Sequence, residues 1–347
     1  MKNYTDKVCR YRFTPYGASI NEAVPSGTPY GASPKKAVPL GTLYVGMIDN
    51  YLEFAIKIAR QAGKLLVVLQ PRLAKQSKTK STTLDLVTKA DYLSEKLIIN
   101  RIKRKYHHHR ILSEEEYSSK IQTNPIRICG GQFSESLLWV IDPLDGTTNY
   151  SHQFPFYCVS IALVKNDPLP LDPEGSRDEN PEGRGKKQCS SPVRYKILLG
   201  VVYNPNLDEL FYASIGKGAY LNNKRLKVSN TNTLSKSMLA TGFPYIIREK
   251  LGDNFRNFQR FCLNAQAIRR AGAAALDLAY VACGRFDGFW ERELKPWDTA
   301  AGVIILTEAG GKATDFKNNK YNPFSHHEIL ATNKYIHQQM INLLNKR

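Results

Sequence analysis

The sequence predicts an α/β (α+β layered) fold in which helical layers alternate with sheet layers. Three observations carry that expectation: helix-period apolar runs near the start, a central block of short apolar strands, and a last third that alternates the two patterns. From Met47 onward, Tyr51, Leu52, Ala55, Ile58, Ala62, Leu65, Leu66 and Leu69 recur at helical spacing, and Pro71 is expected to end that helix. A second helix fits 89–106, where Leu93, Leu97, Ile98 and Ile102 share a face and Thr88 with Asp91 resembles a capping box. Its other face is strongly basic, with Lys96, Arg101, Lys103, Arg104 and Lys105.

Strands are expected at 137–141, 157–165, 194–203, 210–213 and 219–228, the last containing an Asn222-Asn223 hairpin turn. Helical patterns follow at 253–263, 273–283, 299–309 and 334–345, with a short apolar segment at 287–290 between them. Residues 167–192 hold five Pro, three Gly and many charges, and read as a surface insertion. At the other end, 15–28 and 29–42 form a tandem repeat identical at ten of fourteen positions. Each unit is rich in Pro, Gly and Ser and offers little apolar surface to offset the entropy of ordering it. The domain reading is therefore a flexible tail over 1–44 and one domain over 45–347 that carries the insertion.

The chain has 347 residues and is 42% hydrophobic, enough to fill a substantial core. No stretch approaches the roughly 18 uninterrupted apolar residues of a membrane span. The first residues lack the apolar run and small-residue cleavage site of a secretory signal, so a cytoplasmic location is expected. Six cysteines are scattered without a Cys-x-x-Cys pair, which favours free thiols. A formal charge of +18 attracts phosphates, nucleic acid and acidic membranes alike and does not choose among them.

The most informative segment is Trp139-Val-Ile-Asp-Pro-Leu-Asp-Gly-Thr-Thr-Asn149, an apolar strand that runs straight into two carboxylates. At a strand end the chain can curl so that Asp142, the Leu144 carbonyl and Asp145 converge as hard oxygen ligands of the kind Mg²⁺ prefers. Gly146 then allows close backbone approach and leaves the Gly146 and Thr147 N–H groups to hold a phosphate oxygen. An isolated Asp-Gly is far more often a plain turn; the full string shifts the balance toward a site. Further carboxylates stand in Ser113-Glu-Glu-Glu116, in Pro296-Trp-Asp298 at a helix start, and in Asp85-Leu-Val-Thr-Lys-Ala-Asp91. Taken singly, these read as a solvated acidic loop, an N-cap and a strand-to-helix junction. His107-His108-His109 reads as exposed rather than metal-binding, because adjacent histidines cannot all face one ion.

Taken together, the strings resemble the inositol monophosphatase family of magnesium-dependent, lithium-sensitive phosphatases over about 47–333. They comprise DLVTKAD at 85–91, SEEE at 113–116, WVIDPLDGTTNY at 139–150, GVVYNP at 200–205, ATGFP at 240–244, IRRAGAAALDLAYVACGRFDGFWE at 268–291 and PWDTAAGVIILTEAGG at 296–311. The DGTTN form is similar to the inositol monophosphatase branch. The resemblance implies that Glu114, Asp142 and the Leu144 carbonyl hold a first Mg²⁺, and that Asp142, Asp145 and Asp298 hold a second. It implies that Thr147 positions the attacking water, with Asp91 an outer carboxylate, and that Gly146 and Thr147 carry the phosphate. Ala274, through its backbone, and Glu291 match positions that contact the inositol ring. The implied reaction is in-line hydrolysis of a small-molecule phosphate ester, most simply myo-inositol 1-phosphate, by a homodimer. Ser113 stands where the family has Gly, and Ala273 where it has Ser or Thr. Rival readings are a related sugar phosphatase, histidinol phosphatase or bisphosphatase, or a regulatory nucleic-acid or protein-binding role on the same scaffold.

Overall fold

The computed structural model describes residues 40–76, 83–114, 137–167, 194–243 and 247–346. Helices α1 (Leu40–Gln76) and α2 (Thr83–Lys105) lead into β1 (Arg110–Ser113) and β2 (Leu137–Asp145). A short helix α3 (Thr147–Ser151) then precedes β3 (Cys158–Asp167), β4 (Arg194–Asn204), β5 (Glu209–Ser214), β6 (Gly218–Leu221) and β7 (Lys224–Arg225). These seven strands form one sheet in sequence order, parallel only between β1 and β2. Asn222 and Asn223 make the β6–β7 turn with φ of 47° and 67°, as the hairpin reading expects.

The second half builds a five-stranded sheet in the order β11-β12-β10-β8-β9. Its strands are β8 (Met238–Thr241), β9 (Ala267–Arg269), β10 (Gly288–Arg292), β11 (Lys312–Thr314) and β12 (Glu328–Thr332). Between them run α4 (Ile247–Cys262), α5 (Ala274–Ala282) and α6 (Pro296–Glu308), and α7 (His337–Leu344) follows the last strand.

Burial follows the strand period of two and produces the layers. Trp139 and Ile141 of β2 pack with Ala55, Ile58 and Leu66 of α1 and Ile98 of α2. The alternate residues Leu138 and Val140 face Leu278 of α5 and Ile305 of α6, together with Phe289 of β10 and Ile329 of β12. On the far side of the second sheet, Trp290 and Leu330 pack with Phe261 of α4 and Met340 of α7. The order is helix pair, sheet, helix pair, sheet, helix pair, which is the layered α/β architecture that the sequence predicts.

Several helix boundaries differ from expectation, among them the starts of α4, at Ile247 rather than 253, and of α6, at Pro296 rather than 299. The first helix does not stop at Pro71 but continues to Gln76. Proline leaves the carbonyl four residues earlier without its helical partner. That residue is Val67, which is exposed, so water can take the carbonyl. This helix also begins at Leu40, inside the segment read as tail; residues 1–39 lie outside the described residues. The second helix starts at Thr83, so Thr88 and Asp91 are interior rather than a cap, and 85–91 is helix rather than a junction. Most of the 167–192 insertion also lies outside the described residues. Among the described residues Cys158, Cys262 and Cys283 are free thiols, and no helix is long and apolar enough to cross a membrane.

The buried imidazole of His337 ties α7 to the second sheet. Thr314 Oγ1 lies 3.1 Å from Nε2 and Thr332 Oγ1 lies 2.9 Å from Nδ1. The Thr314 hydroxyl donates to the Asp315 carbonyl, so it accepts from Nε2–H, which leaves Nδ1 to accept from Thr332. Burial, and then the charge of Lys312, lower the His337 pKa to about 4. The unfolded chain binds this proton near pH 6.5 and the folded one does not, so stability present above 6.5 is lost as pH falls toward 4. Urea unfolding across that window should show a loss on the order of 3 kcal/mol from this group that His337→Gln removes. Equal pH slopes for the two proteins would show that His337 does not contribute.

Candidate active site

The second strand delivers Asp142 and Asp145 to the edge of the layer between the sheets, and its pairing with β3 shifts register between them. That irregularity curls the chain: the Leu144 N–H donates to Asp142 Oδ1 at 3.0 Å, and the Thr147 hydroxyl donates to the Leu144 carbonyl at 3.1 Å. Gly146 has φ +90°, and a Cβ there would meet the Phe156 carbonyl at 3.0 Å and Tyr157 Cα at 3.2 Å. Only glycine satisfies both the left-handed backbone and the close approach.

Each remaining carboxylate is brought to this turn by a separate contact. On α2, Ser94 donates to the Pro143 carbonyl at 2.9 Å, which holds the helix face that also bears buried Asp91. Glu114 follows the end of β1, beside β2 in the sheet. Asp145 Oδ2 accepts the Ala275 N–H of α5 at 2.8 Å and faces Cys158 Sγ at 3.6 Å. Ser160, opposite Asp142 in the ladder, donates to the Trp297 carbonyl at 3.2 Å and fixes the start of α6. Asp298 is the third residue of that helix rather than its N-cap, and its carboxylate accepts the Lys295 N–H at 2.7 Å. Ala274 opens α5, and Glu291 lies on β10.

These groups lie close enough for their charges to act on one another. Burial pushes Asp142 well above the usual carboxylate range, and the charges of Glu114, Asp145, Asp298 and Asp91 push it further. Asp145 is pushed up to about 7 by burial, against the hydrogen bonds from Ala275 and Cys158. Burial likewise raises Asp298 to about 7, against the Lys295 N–H. Glu291 is raised by burial and then by Asp298 and Asp145, with Arg270 acting in the opposite direction. Among the described residues, no group of three or more His, Cys, Asp or Glu side chains is placed to hold a metal ion as the chain stands. The donor set is nevertheless that of a hard divalent cation: buried carboxylates plus the Leu144 carbonyl, whose mutual repulsion such a cation would relieve.

The sequence reading named Asp142, Asp145 and Thr147, which share the turn at the end of β2, and Asp91, Glu114 and Asp298, whose charges reach Asp142 from three other segments. It missed Ser94, Cys158 and Ser160, which position the acids. Their only signal is polar residues at otherwise apolar positions of a helix face and a buried strand. Glu115 and Glu116 lie outside the described residues. The histidine run provides no common site: His107 and His108 are exposed, while His109 Nδ1 accepts the Trp139 indole N–H at 3.0 Å. The basic face of α2 is exposed at Lys89, Lys96, Arg101, Lys103, Arg104 and Lys105, remote in sequence from the acidic turn.

The sequence profile of the inositol monophosphatase family matches residues 47–169 and 192–347. An inositol-1-monophosphatase of Synechocystis is 38% identical over 293 residues, covering 84% of this chain and 88% of its own. The Nus factor SuhB of Xylella fastidiosa is 37% identical over 262 residues, covering 76% of this chain and 80% of its own. Among solved structures, the inositol monophosphatase of Anabaena (Nostoc) superimposes with a TM-score of 0.66 at 38% identity, covering 86% of this chain and 96% of that one. The extragenic suppressor protein suhB of Bartonella henselae gives 0.65 at 33% identity, covering 86% and 100%. The layered fold, the acidic turn and these matches agree: this chain belongs to the inositol monophosphatase family.

Proposed function

We propose that this protein is a Mg²⁺-dependent phosphoric monoester hydrolase whose substrate is myo-inositol 1-phosphate. What supports the reading is the family match together with the acidic turn, where Asp142 and Asp145 flank the Leu144 carbonyl at the end of β2 and Asp145 is tied to α5 by the Ala275 N–H. Glu114, Asp142, Asp145, Asp298 and the Leu144 carbonyl would hold two ions, with Asp142 shared. When bound, Mg²⁺ supplies the positive charge that polarises the phosphate ester, lowers the pKa of the attacking water and steadies the leaving alkoxide. The Thr147 hydroxyl, with Glu114 and Asp91, orients that water. The Gly146 and Thr147 N–H groups receive the phosphate oxygens, and the Ala274 backbone and Glu291 hold the alcohol. No side-chain nucleophile is required: buried Cys158 has its pKa raised well above the ordinary thiol value by burial and then by Asp145, so it stays protonated.

The test is a panel of phosphate esters assayed against Mg²⁺, Li⁺ and chelator. Myo-inositol 1-phosphate should have the highest kcat/KM, chelator should abolish turnover, and Li⁺ should inhibit. A sugar phosphate, histidinol phosphate or bisphosphate turned over faster would transfer the assignment to that substrate. Turnover undiminished by chelator would remove the metal chemistry altogether.

The protein would act as a homodimer in the cytoplasm, where thiols such as Cys158, Cys262 and Cys283 stay reduced. Light scattering should give twice the chain mass. Residues 1–44 would be dispensable, since the family match begins at residue 47 and the repeated leader carries none of the proposed ligands. Deleting them should leave kcat/KM within about twofold of the full chain, a change of less than about 0.5 kcal/mol. A truncated protein that loses most of its activity would show that the leader supports the catalytic body.

A further inference from the structure

Glu291 is held in place from the opposite side of its own sheet. Along β10 the side chains alternate: Phe289 packs into the layer between the sheets, whereas Trp290 packs against Phe261 of α4 on the outer side, with ring centroids 4.2 Å apart. Glu291 therefore returns to the inner side, where the carboxylates lie. It sits just past the last paired register of β8 with β10, Thr241 opposite Trp290. Among the described residues, no ladder pair of β8 with β10 lies beyond it. There the Glu291 carboxylate rests directly on the Gly242 backbone: a Cβ at Gly242 would stand 2.1 Å from Glu291 Oε1 and 2.2 Å from Oε2.

Asn254 ties the unladdered ends together from the helix that packs on the outer face. Asn254 of α4 is buried, at 4% exposure. Its Nδ2 donates to the Gly242 carbonyl at 2.8 Å, and its Oδ1 accepts the Trp290 indole N–H at 3.1 Å. One amide thus joins the residue beneath the Glu291 carboxylate to the residue preceding Glu291 in the chain. Thr241 Oγ1 adds a bond to the Trp290 carbonyl at 2.7 Å, at the same level. Buried hydrogen bonds of this kind fix geometry because breaking them leaves polar groups unpaired.

We propose that Asn254 is a positioning residue for recognition of the substrate's polyol, acting from the outer face of the five-stranded sheet to hold Gly242 and Trp290 so that Glu291 meets the alcohol hydroxyls. This rests on the reading above that Glu291 contacts the alcohol. The side-chain hydrogen bonds of Asn254 go to Gly242 and Trp290, neither a proposed metal ligand, so its effect is on which alcohol is accepted rather than on the phosphorus chemistry.

The experiment compares kcat/KM for myo-inositol 1-phosphate with kcat/KM for p-nitrophenyl phosphate, which presents no polyol. Asn254→Ala should lower the ratio of the two about tenfold, through KM for the inositol ester, while the aryl ester changes less than about twofold. Glu291→Gln should lower the same ratio. In the Glu291→Gln background Asn254→Ala should add almost nothing, because its route of action is already gone. Trp290→Phe, which removes the indole N–H from the staple, should reproduce the effect and serves if Asn254→Ala is insoluble. If Asn254→Ala and Trp290→Phe leave the ratio unchanged while Glu291→Gln shifts it, the proposal falls and the alcohol contact stands. Equal losses in both backgrounds would likewise overturn it, as a merely structural role behaves that way. A ratio untouched by Glu291→Gln itself would remove the alcohol contact, and the proposal with it.

Discussion

Asp142→Asn is expected to reduce turnover of myo-inositol 1-phosphate on the order of 10³-fold, about 4 kcal/mol of transition-state stabilisation, in a protein that still folds. Asp142 is the carboxylate on which all the others act, and its Oδ1 accepts the Leu144 N–H that shapes the turn. Asparagine retains an oxygen for that N–H and removes only the charge. The loss should therefore appear as a weaker Mg²⁺ requirement curve and a lower kcat, with circular dichroism unchanged. Asp145→Asn and Asp298→Asn should act in the same direction, whereas Glu115→Gln and Glu116→Gln should be mild if Glu114 is the ligand of its run. A folded Asp142→Asn protein with wild-type turnover and Mg²⁺ dependence would remove the centre of the assignment.

Gly200→Val should lower stability sharply. On β4, a Cβ at Gly200 would fall 2.6 Å from the Ala301 carbonyl oxygen and 2.8 Å from Ala301 Cα. These are backbone atoms of α6, so no side-chain rotation relieves the clash; the helix itself must move. Overpacking of this kind costs about 3 kcal/mol, a fall in Tm of roughly 6 °C. Because α6 carries Asp298, turnover should fall along with stability, and Gly200→Ala should show a smaller version of both. Differential scanning calorimetry together with the phosphatase assay checks this, and an unchanged Tm for Gly200→Val would mean that α6 does not dock as closely as described.

The two sheets differ in how far their strands can be read from sequence, for a physical reason. Strands β2, β3 and β4 are long and buried on both faces, so Leu137–Asp145 and its neighbours stand out as continuous apolar runs. Strands β8, β9 and β11 have three or four residues, too few for an alternation to show, and their pairing is decided by partners distant in the chain. The local cap signal at Thr88 and Asp91 lost to tertiary demand: Asp91 is buried and turned toward Asp142. In the candidate site Asp142 and Asp145 were legible from an apolar strand that runs into two carboxylates, whereas Glu114, Asp298 and Asp91 read singly as a loop, an N-cap and a junction and gained a role only from the family resemblance of the strings that hold them. Ser94, Ser160 and Asn254 were not legible, because a single polar residue in an apolar face announces neither its partner nor its purpose until the chain is folded.

The acids come from α2, β1, β2 and α6, and the last of them lies far downstream of the first three segments in the chain. On a ribosome, then, the acidic turn leaves the tunnel well before the helix that completes it. The nascent N-terminal half exposes Asp142 and Asp145 without Asp298, and without the Ala275 amide that anchors Asp145. On the two-ion reading proposed above, such a half-site would offer fewer hard oxygen ligands than the finished one.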